Sequence, residues 1–271
     1  MIKTTLNKSK TAIKKQFLKA SQVYYNIAGN EVECNICHYK TNKLSSNMWH
    51  LYATCPNCGS GVRNRLLFAA FSYLDDFSDK KLIAGKNILH FAPEQATTKQ
   101  LRKLAKNYKT ADYLAKGYHY GDIDYNIDIT NMKVIGDKSV DCLIACDVLE
   151  HVYDLKNGLS EIYRVIADGG YCILEVPQKD HLAITQEDLT ISDPKEREKV
   201  FGQDDHMRIF GDDFVSMLED QGFEVTAVDE SFFDKGMVKK HVLAPPVLSK
   251  HPMATNYRKV FFGKKVEAAY C

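Results

Sequence analysis

VDCLIACDVLEHVYDLKNGLSEIYRVIADGGYCILEV, residues Val140–Val176, holds one whole structural unit. Its opening run, Val140–Cys146, is apolar apart from Asp141 and is too short for a globular helix, so it reads as a buried strand. Leu155, Leu159, Ile162, Tyr163 and Ile166 then recur at the spacing of an amphipathic helix. Asp168-Gly169-Gly170 is a turn, and Tyr171–Val176 is a second buried run. Strand, helix and strand, with both strands apolar throughout, make the repeating unit of a parallel sheet.

The same alternation extends outward. Upstream, Asn87–Phe91 is a short apolar strand. Leu101, Leu104, Ala105 and Tyr108 have helical spacing, and Tyr108–Ala111 is a second strand. Downstream, Asp212 is placed to cap a helix with Phe214, Val215 and Leu218 on its apolar face and Gly222 at its end. Phe223–Val228 and Val260–Phe262 read as late strands. The expected fold is α/β, a Rossmann-like sheet with helices on both faces. Leu66, Leu67, Ala70, Phe71 and Leu74 predict a helix leading into it.

The chain has 271 residues, enough for one large domain plus a small module. Hydrophobic residues at 45% and charged residues at 26% exclude a disordered chain. Formal net charge is +1, so no global field draws in nucleic acid, and such binding would need a local patch. No apolar run reaches the ~18 residues of a membrane span. Lys3, Lys8, Lys10, Lys14, Lys15 and Lys19 interrupt the first twenty residues, so no signal peptide is expected. The expected compartment is the cytoplasm, where thiols stay reduced.

Four of the eight cysteines, Cys34, Cys37, Cys55 and Cys58, form C-x2-C-x17-C-x2-C. Two such knuckles predict a zinc ribbon, with four thiolates around one tetrahedral, closed and therefore structural ion. Cys142, Cys146 and Cys172 lie in apolar runs and read as buried small hydrophobes. The expected organisation is a basic arm over 1–30, the ribbon over 31–62 and the main domain over 63–271, with an insertion at 178–211 on the acceptor side.

Parallel sheets bind ligands at the carboxyl ends of their strands. Asp112 follows the second strand, where a carboxylate accepts from ribose hydroxyls. The loop after the first strand, His90-Phe91-Ala92-Pro93-Glu94, has neither G-x-G-x-x-G nor G-x-x-x-x-G-K, so nothing is built to wrap a pyrophosphate. A nucleoside ligand without phosphates fits better, and S-adenosylmethionine is the obvious one.

Asn87–Glu94, Asp128–Thr130, Val140–Ile144, Val148–Val152 and Tyr163–Gly170 together resemble a class I S-adenosylmethionine-dependent methyltransferase of the type 11 group. Cys55–Arg65, His90–Glu94 and Phe201–Gly211 are similar to a narrower subgroup that carries a zinc ribbon. The resemblance implies that Asp112 binds the ribose, that Asp128 accepts from the adenine amino group, and that Ile129 lies against the ring. Asp122 and Asp124 compete for these roles. Phe91, Ala92, Pro93 and Asp147 complete the implied cofactor contacts. Ala92 and Pro93 stand where the wider family has glycines. Glu94 either holds the ammonium group of the cofactor or caps the next helix.

Methyl transfer needs a positioned acceptor and, for an oxygen, removal of its proton. His206, within Asp204-Asp205-His206-Met207-Arg208, and His151 are the leading catalytic candidates, with His90 and His181 behind them. Arg63, Arg65 and Arg208 are candidates for binding an anionic acceptor. The expected acceptor is an oxygen of a small or saccharide-type molecule, phosphorylated or nucleotide-linked. Two alternatives stand beside it. One is an RNA methyltransferase, which needs the lysine arm, Trp49, Tyr52, Arg63 and Arg65 on one face. The other is a zinc-ribbon interaction protein on a degenerate domain that binds no cofactor.

Overall fold

The computed structural model describes residues 23–24, 29–47, 50–114 and 123–266. Ribbon strands β1 (Val32–Glu33) and β2 (Lys40–Thr41) lead into helix α1 (Val62–Tyr73) and the short helix α2 (Asp79–Leu82). Then follow β3 (Asn87–Phe91), α3 (Gln95–Leu101), β4 (Asn107–Asp112), β5 (Tyr125–Asn126), β6 (Val140–Cys146), α4 (Leu155–Val165) and β7 (Ile166–Glu175). An excursion carries β8 (Gln186–Glu187), α5 (Pro194–Phe201) and β9 (Arg208–Ile209). The chain closes with α6 (Phe214–Glu219), β10 (Phe223–Val228), α7 (Lys235–His241) and β11 (Val260–Lys265). No helix among the described residues is long and apolar enough to cross a membrane.

The main sheet has the order β10-β11-β7-β6-β3-β4-β5, with β11 antiparallel to both neighbours and the other pairs parallel. Side chains alternate across a strand, and both faces of β6 are buried. Leu143 and Ala145 join the core formed with Leu159 and Ile162 of α4 and Phe214 and Leu218 of α6. Cys142 and Ile144 face the other core, with Leu66, Leu67 and Ala70 of α1. Helices therefore cover both faces. Each fully buried Leu or Ile contributes about 1.5–3 kcal/mol.

Three local expectations differ from the structure. The helix expected through Leu101–Tyr108 ends at Leu101; Leu104 and Ala105 turn, and Tyr108 already lies in β4. The backbone N–H groups of Lys106 and Asn107 donate to Lys86 O, which starts the strand pairing there (2.9 and 3.2 Å). The Asp168-Gly169-Gly170 turn is a bulge inside β7, where the register slips between Val140 and Cys142. Gly169 takes φ +74°, and a Cβ on Gly170 would lie 2.8 Å from Asp141 O. The N-cap of α6 is Asp213, not Asp212, and Asp213 instead accepts from the N–H and hydroxyl of Thr185 (2.9 and 2.7 Å).

In the ribbon, each knuckle is closed by a backbone bond: His38 N–H to Cys34 O (2.8 Å) and Gly59 N–H to Cys55 O (2.9 Å). His38 and Gly59 both take the left-handed conformation that the turn requires. The Cys34–Cys58 and Cys37–Cys55 sulfurs are 3.7 and 3.6 Å apart. Two sulfurs on tetrahedral Zn²⁺, each about 2.3 Å from it, lie roughly 3.8 Å apart, so the set fits that ion. The Ser60 hydroxyl sits 3.3 and 3.2 Å from the Cys34 and Cys58 sulfurs, as a partner for thiolates.

The ribbon is tied to the main domain by Arg65, which is fully buried. Its guanidinium donates to Ala53 O and Ser60 O of the ribbon (2.8 and 2.7 Å) and to His241 O and Val242 O at the end of α7 (2.8 and 3.0 Å). All three guanidinium nitrogens donate to backbone and the side chain lies outside the cavity lining, so the expectation that Arg65 binds an anionic acceptor is corrected. The basic arm over 1–30 lies almost wholly outside the described residues, as do Trp49 and Asp122.

Candidate active site

The strand order reverses between β3 and β6, and the chain must leave both strands sharply there. Ala92 and Asp147, the residues after β3 and β6, take left-handed φ values of +46° and +52°. For residues other than glycine this costs of order 1–3 kcal/mol each, so surrounding contacts must hold it. Ala92 N–H donates to Ala111 O (3.0 Å), and Asp147 N–H donates to Glu175 O (2.9 Å). Ala92 thus adopts the turn for which the wider family uses glycine.

Four acids line up along this carboxyl edge: Asp112 ending β4, Glu94 after β3, Asp147 after β6 and Glu175 ending β7. Arg63, from the first turn of α1, enters among them. It pairs with Glu94, with Asp147 (2.6 Å) and with Glu175 (3.4 Å). Arg258 lies 3.5 Å from Asp147 and 3.8 Å from Glu175. Burial would raise the Asp147 carboxyl, but Arg63 and then Arg258 hold it below its usual value. Burial pushes Glu175 up to about 8. Glu94 occupies the N-cap of α3 without a side-chain capping bond; its carboxylate accepts from Arg63 and Asn64 instead.

All of these charged groups but Glu175 line a cavity of about 990 Å³. Phe91, Ala92, Glu94, Asp112, Asp128, Ile129 and Asp147 line it, while Pro93 is buried outside the lining. Asp112 Oδ1 accepts from Tyr113 N–H (2.8 Å); Oδ2 is buried without a hydrogen bond, and burial raises this carboxyl. Asp128 is held by Thr130, whose N–H and hydroxyl both donate to its Oδ1 (2.8 Å each). The competitor Asp124 is spent on Lys109 and Thr110.

His151 and His206 line the same cavity, rings 4.8 Å apart and edge-on. Glu150 lies beside them; burial, then Asp147, pushes its carboxyl up to about 8. Burial, then His151, lowers His206 to about 4. The turn that carries Glu150 and His151 is stitched to the segment that carries His206. Met207 N–H donates to Glu150 O (2.8 Å). Arg208 donates to Leu149 O (2.8 Å), Val152 O and Tyr153 O (3.2 Å), and pairs with Glu187. Arg208 is fully buried and lies outside the cavity lining, so its expected role as an acceptor ligand is corrected to that of a strut. His90 is buried against the Tyr108 hydroxyl (2.5 Å), and neither it nor His181 lines the cavity.

Sequence reasoning missed other lining residues: Asn47 and His50 from the ribbon, and Ser249, His251 and Thr255 with Arg258 from the stretch before β11. One signal was available for Arg258. A last strand running antiparallel begins at the carboxyl edge of the parallel strands, which puts the residues before it at the site. Arg63 and Arg65, which an RNA-binding face would need exposed, are both turned inward.

Residues 83–174 match the family model described as Methyltransferase domain. That stretch carries a methyltransferase domain of the S-adenosylmethionine-dependent kind. A search of curated proteins finds no match to the chain. Similar solved structures include a SAM dependent methyltransferase from Archaeoglobus fulgidus, at 13% identity and a TM-score of 0.48 over 76% of this chain and 95% of that one. The YcgJ protein of Bacillus subtilis is 13% identical, with a TM-score of 0.47 over 76% of this chain and 100% of that one. The 1,6-didemethyltoxoflavin-N1-methyltransferase of Burkholderia thailandensis, solved with S-adenosylhomocysteine, is 14% identical, with a TM-score of 0.45 over 73% and 79%.

Proposed function

We propose that the chain transfers a methyl group from S-adenosylmethionine to a hydroxyl oxygen of a small, polyhydroxylated acceptor of saccharide type, with Zn²⁺ held structurally by Cys34, Cys37, Cys55 and Cys58. The reading is carried by Asp112, whose buried Oδ2 has no partner and stands in the cavity wall at the end of β4. That is the acceptor a ribose diol requires. Asp128 and Ile129 would hold the adenine. The mixed cluster of Arg63 and Arg258 with Glu94, Asp147 and Glu175 suits the zwitterionic end of the cofactor: guanidinium for its carboxylate, carboxylate for its ammonium. Several of its atoms, including Arg63 Nε, Asp147 Oδ1 and Glu175 Oε1, make no hydrogen bond within the chain. S-adenosylmethionine supplies an electrophilic methyl carbon on a sulfonium.

The acceptor side of the reading rests on the lining. Asn47, His50, Gln203, Ser249, His251 and Thr255 offer polar side chains that match hydroxyl groups. Arg65 and Arg208 are committed to backbone and Arg63 to carboxylates, so the phosphorylated or nucleotide-linked form of the acceptor loses its support. His151 and His206 handle the acceptor oxygen.

Calorimetry with S-adenosylhomocysteine tests the cofactor. Micromolar binding, about −8 kcal/mol, is expected for the wild type, with at least a tenfold loss in Asp112→Ala. Absence of binding by folded, zinc-loaded protein would favour the interaction module instead. Transfer of labelled methyl to a panel of sugars and nucleotide sugars then tests the acceptor; transfer to RNA alone would overturn it.

A further inference from the structure

The cavity holds a second group of metal-ligating side chains, distant in chemistry from the four thiolates. Glu150, His151 and His206 each offer one ligand atom, and these atoms all lie within 4.8 Å of one another. Contacts at the two imidazoles fix which ring nitrogen carries the proton. His206 Nδ1 is 3.2 Å from Phe201 O, and a carbonyl only accepts, so Nδ1 carries the proton and Nε2 keeps its lone pair. Asp205 Oδ2 lies 3.1 Å from His151 Nδ1, and a carboxylate there favours the same tautomer. His151 Nε2 then faces Glu150 Oε1 at 3.8 Å. Glu150 is 1% exposed, and its Oε2 has no hydrogen-bond partner.

Two imidazole nitrogens, each ring with a partner at its Nδ1, and one buried carboxylate form a set that suits a divalent first-row transition metal with open coordination positions. The backing groups are themselves fixed. Gln203 Nε2 donates to Asp205 (2.8 Å), and Met207 N–H and Arg208 clamp the two ligand-bearing segments together. The three residues also line the cavity, so the open positions face the acceptor.

From this we infer that Glu150, His151 and His206 bind a divalent transition-metal ion that holds the acceptor oxygen for methyl transfer. The metal-bound hydroxyl loses its proton to solvent, which a Lewis acid makes easier. Its lone pair forms the O–CH3 bond while the C–S bond breaks, and that electron pair stays on sulfur as S-adenosylhomocysteine leaves. The acceptor role rests on the methyltransferase reading above; the ion site does not.

The test titrates Mn²⁺ into full-length, zinc-loaded protein, followed by electron paramagnetic resonance, beside S-adenosylhomocysteine calorimetry. Mn²⁺ avoids the thiolate site because it prefers oxygen and nitrogen ligands. One equivalent is expected to bind to the wild type. Glu150→Gln, nearly isosteric, and His206→Ala should each weaken it at least tenfold, with zinc content and thermal midpoint confirming that both variants fold. Asp205→Asn should weaken it by a smaller factor. No second ion in the wild type for Mn²⁺, Co²⁺ or Zn²⁺ overturns the inference, as does binding that folded Glu150→Gln and His206→Ala leave unchanged. Cofactor binding without a second ion would leave the methyltransferase reading standing and remove this one. A second ion without cofactor binding would do the reverse.

Discussion

Among the described residues, Arg63 is the one side chain paired with Glu94, Asp147 and Glu175 together, and it retains only 22% exposure. Removing it leaves three carboxylates facing one another with Arg258 as the remaining guanidinium in the cluster. Arg63→Met should cost about 1–3 kcal/mol, less than for a fully buried pair because solvent still reaches the group. It should also lower S-adenosylhomocysteine affinity at least tenfold. Lost stability with unchanged affinity would make Arg63 a clamp and no cofactor ligand. His90 acts by a different physics. Burial holds its pKa down to about 3, against 6.5 when exposed. Below pH 6.5 the unfolded chain therefore takes a proton that the folded chain refuses. Stability is fully present above that pH and falls by about 1.4 kcal/mol per unit on acidification towards pH 3. His90→Gln should flatten the urea-midpoint curve by about one proton across pH 6 to 4; an unchanged slope would mean that another group carries it.

At the scale of elements, two buried arginines do work that residue type alone did not reveal. Their sequence contexts, beside a zinc knuckle and beside Asp205-His206, suggested ligand binding. What the sequence could not show is that backbone carbonyls from turns and helix ends converge on both. Arg65 meets the end of α7 at His241 and Val242, far away in sequence. Arg65→Lys should cost about 2–3 kcal/mol in urea unfolding, because an ammonium cannot reach carbonyls on two sides at once. A loss under about 0.5 kcal/mol would mean that the junction is held by other contacts. Strands were more legible than helices here. β3 and β6 showed as short, mainly apolar runs, as strands buried in a parallel sheet do, and their ends and that of β4 located Glu94, Asp147 and Asp112. The helix expected through Tyr108 failed because Leu101, Ala105 and Tyr108 pack into one core at helical spacing while belonging to a helix end, a loop and a strand.

Considered as a whole molecule, the ribbon is a wall of the active site and not an appendage. Asn47 and His50 line the cavity together with Asp147, and α1 runs from the last knuckle to deliver Arg63. Asn35 donates to Arg65 O (2.8 Å), and His241 Nδ1 lies 2.9 Å from Glu33 O, so ribbon, α1 and α7 share one set of contacts. The thiolate spacing was readable because four fixed residues encode one tetrahedron. The stretch of 245–258 was not, since it has no periodicity and its place follows from β11 running antiparallel. If the contacts are shared, loss of the ion must propagate. Cys55→Ala should abolish bound zinc, lower the midpoint of a single cooperative thermal transition and weaken S-adenosylhomocysteine binding, though Cys55 touches no part of the cofactor site. Zinc at one equivalent in Cys55→Ala would dismiss the four-thiolate site. A separate low-temperature ribbon transition with full cofactor affinity would show that the ribbon and the sheet fold apart, and that Arg63 reaches its carboxylates without the ribbon's help.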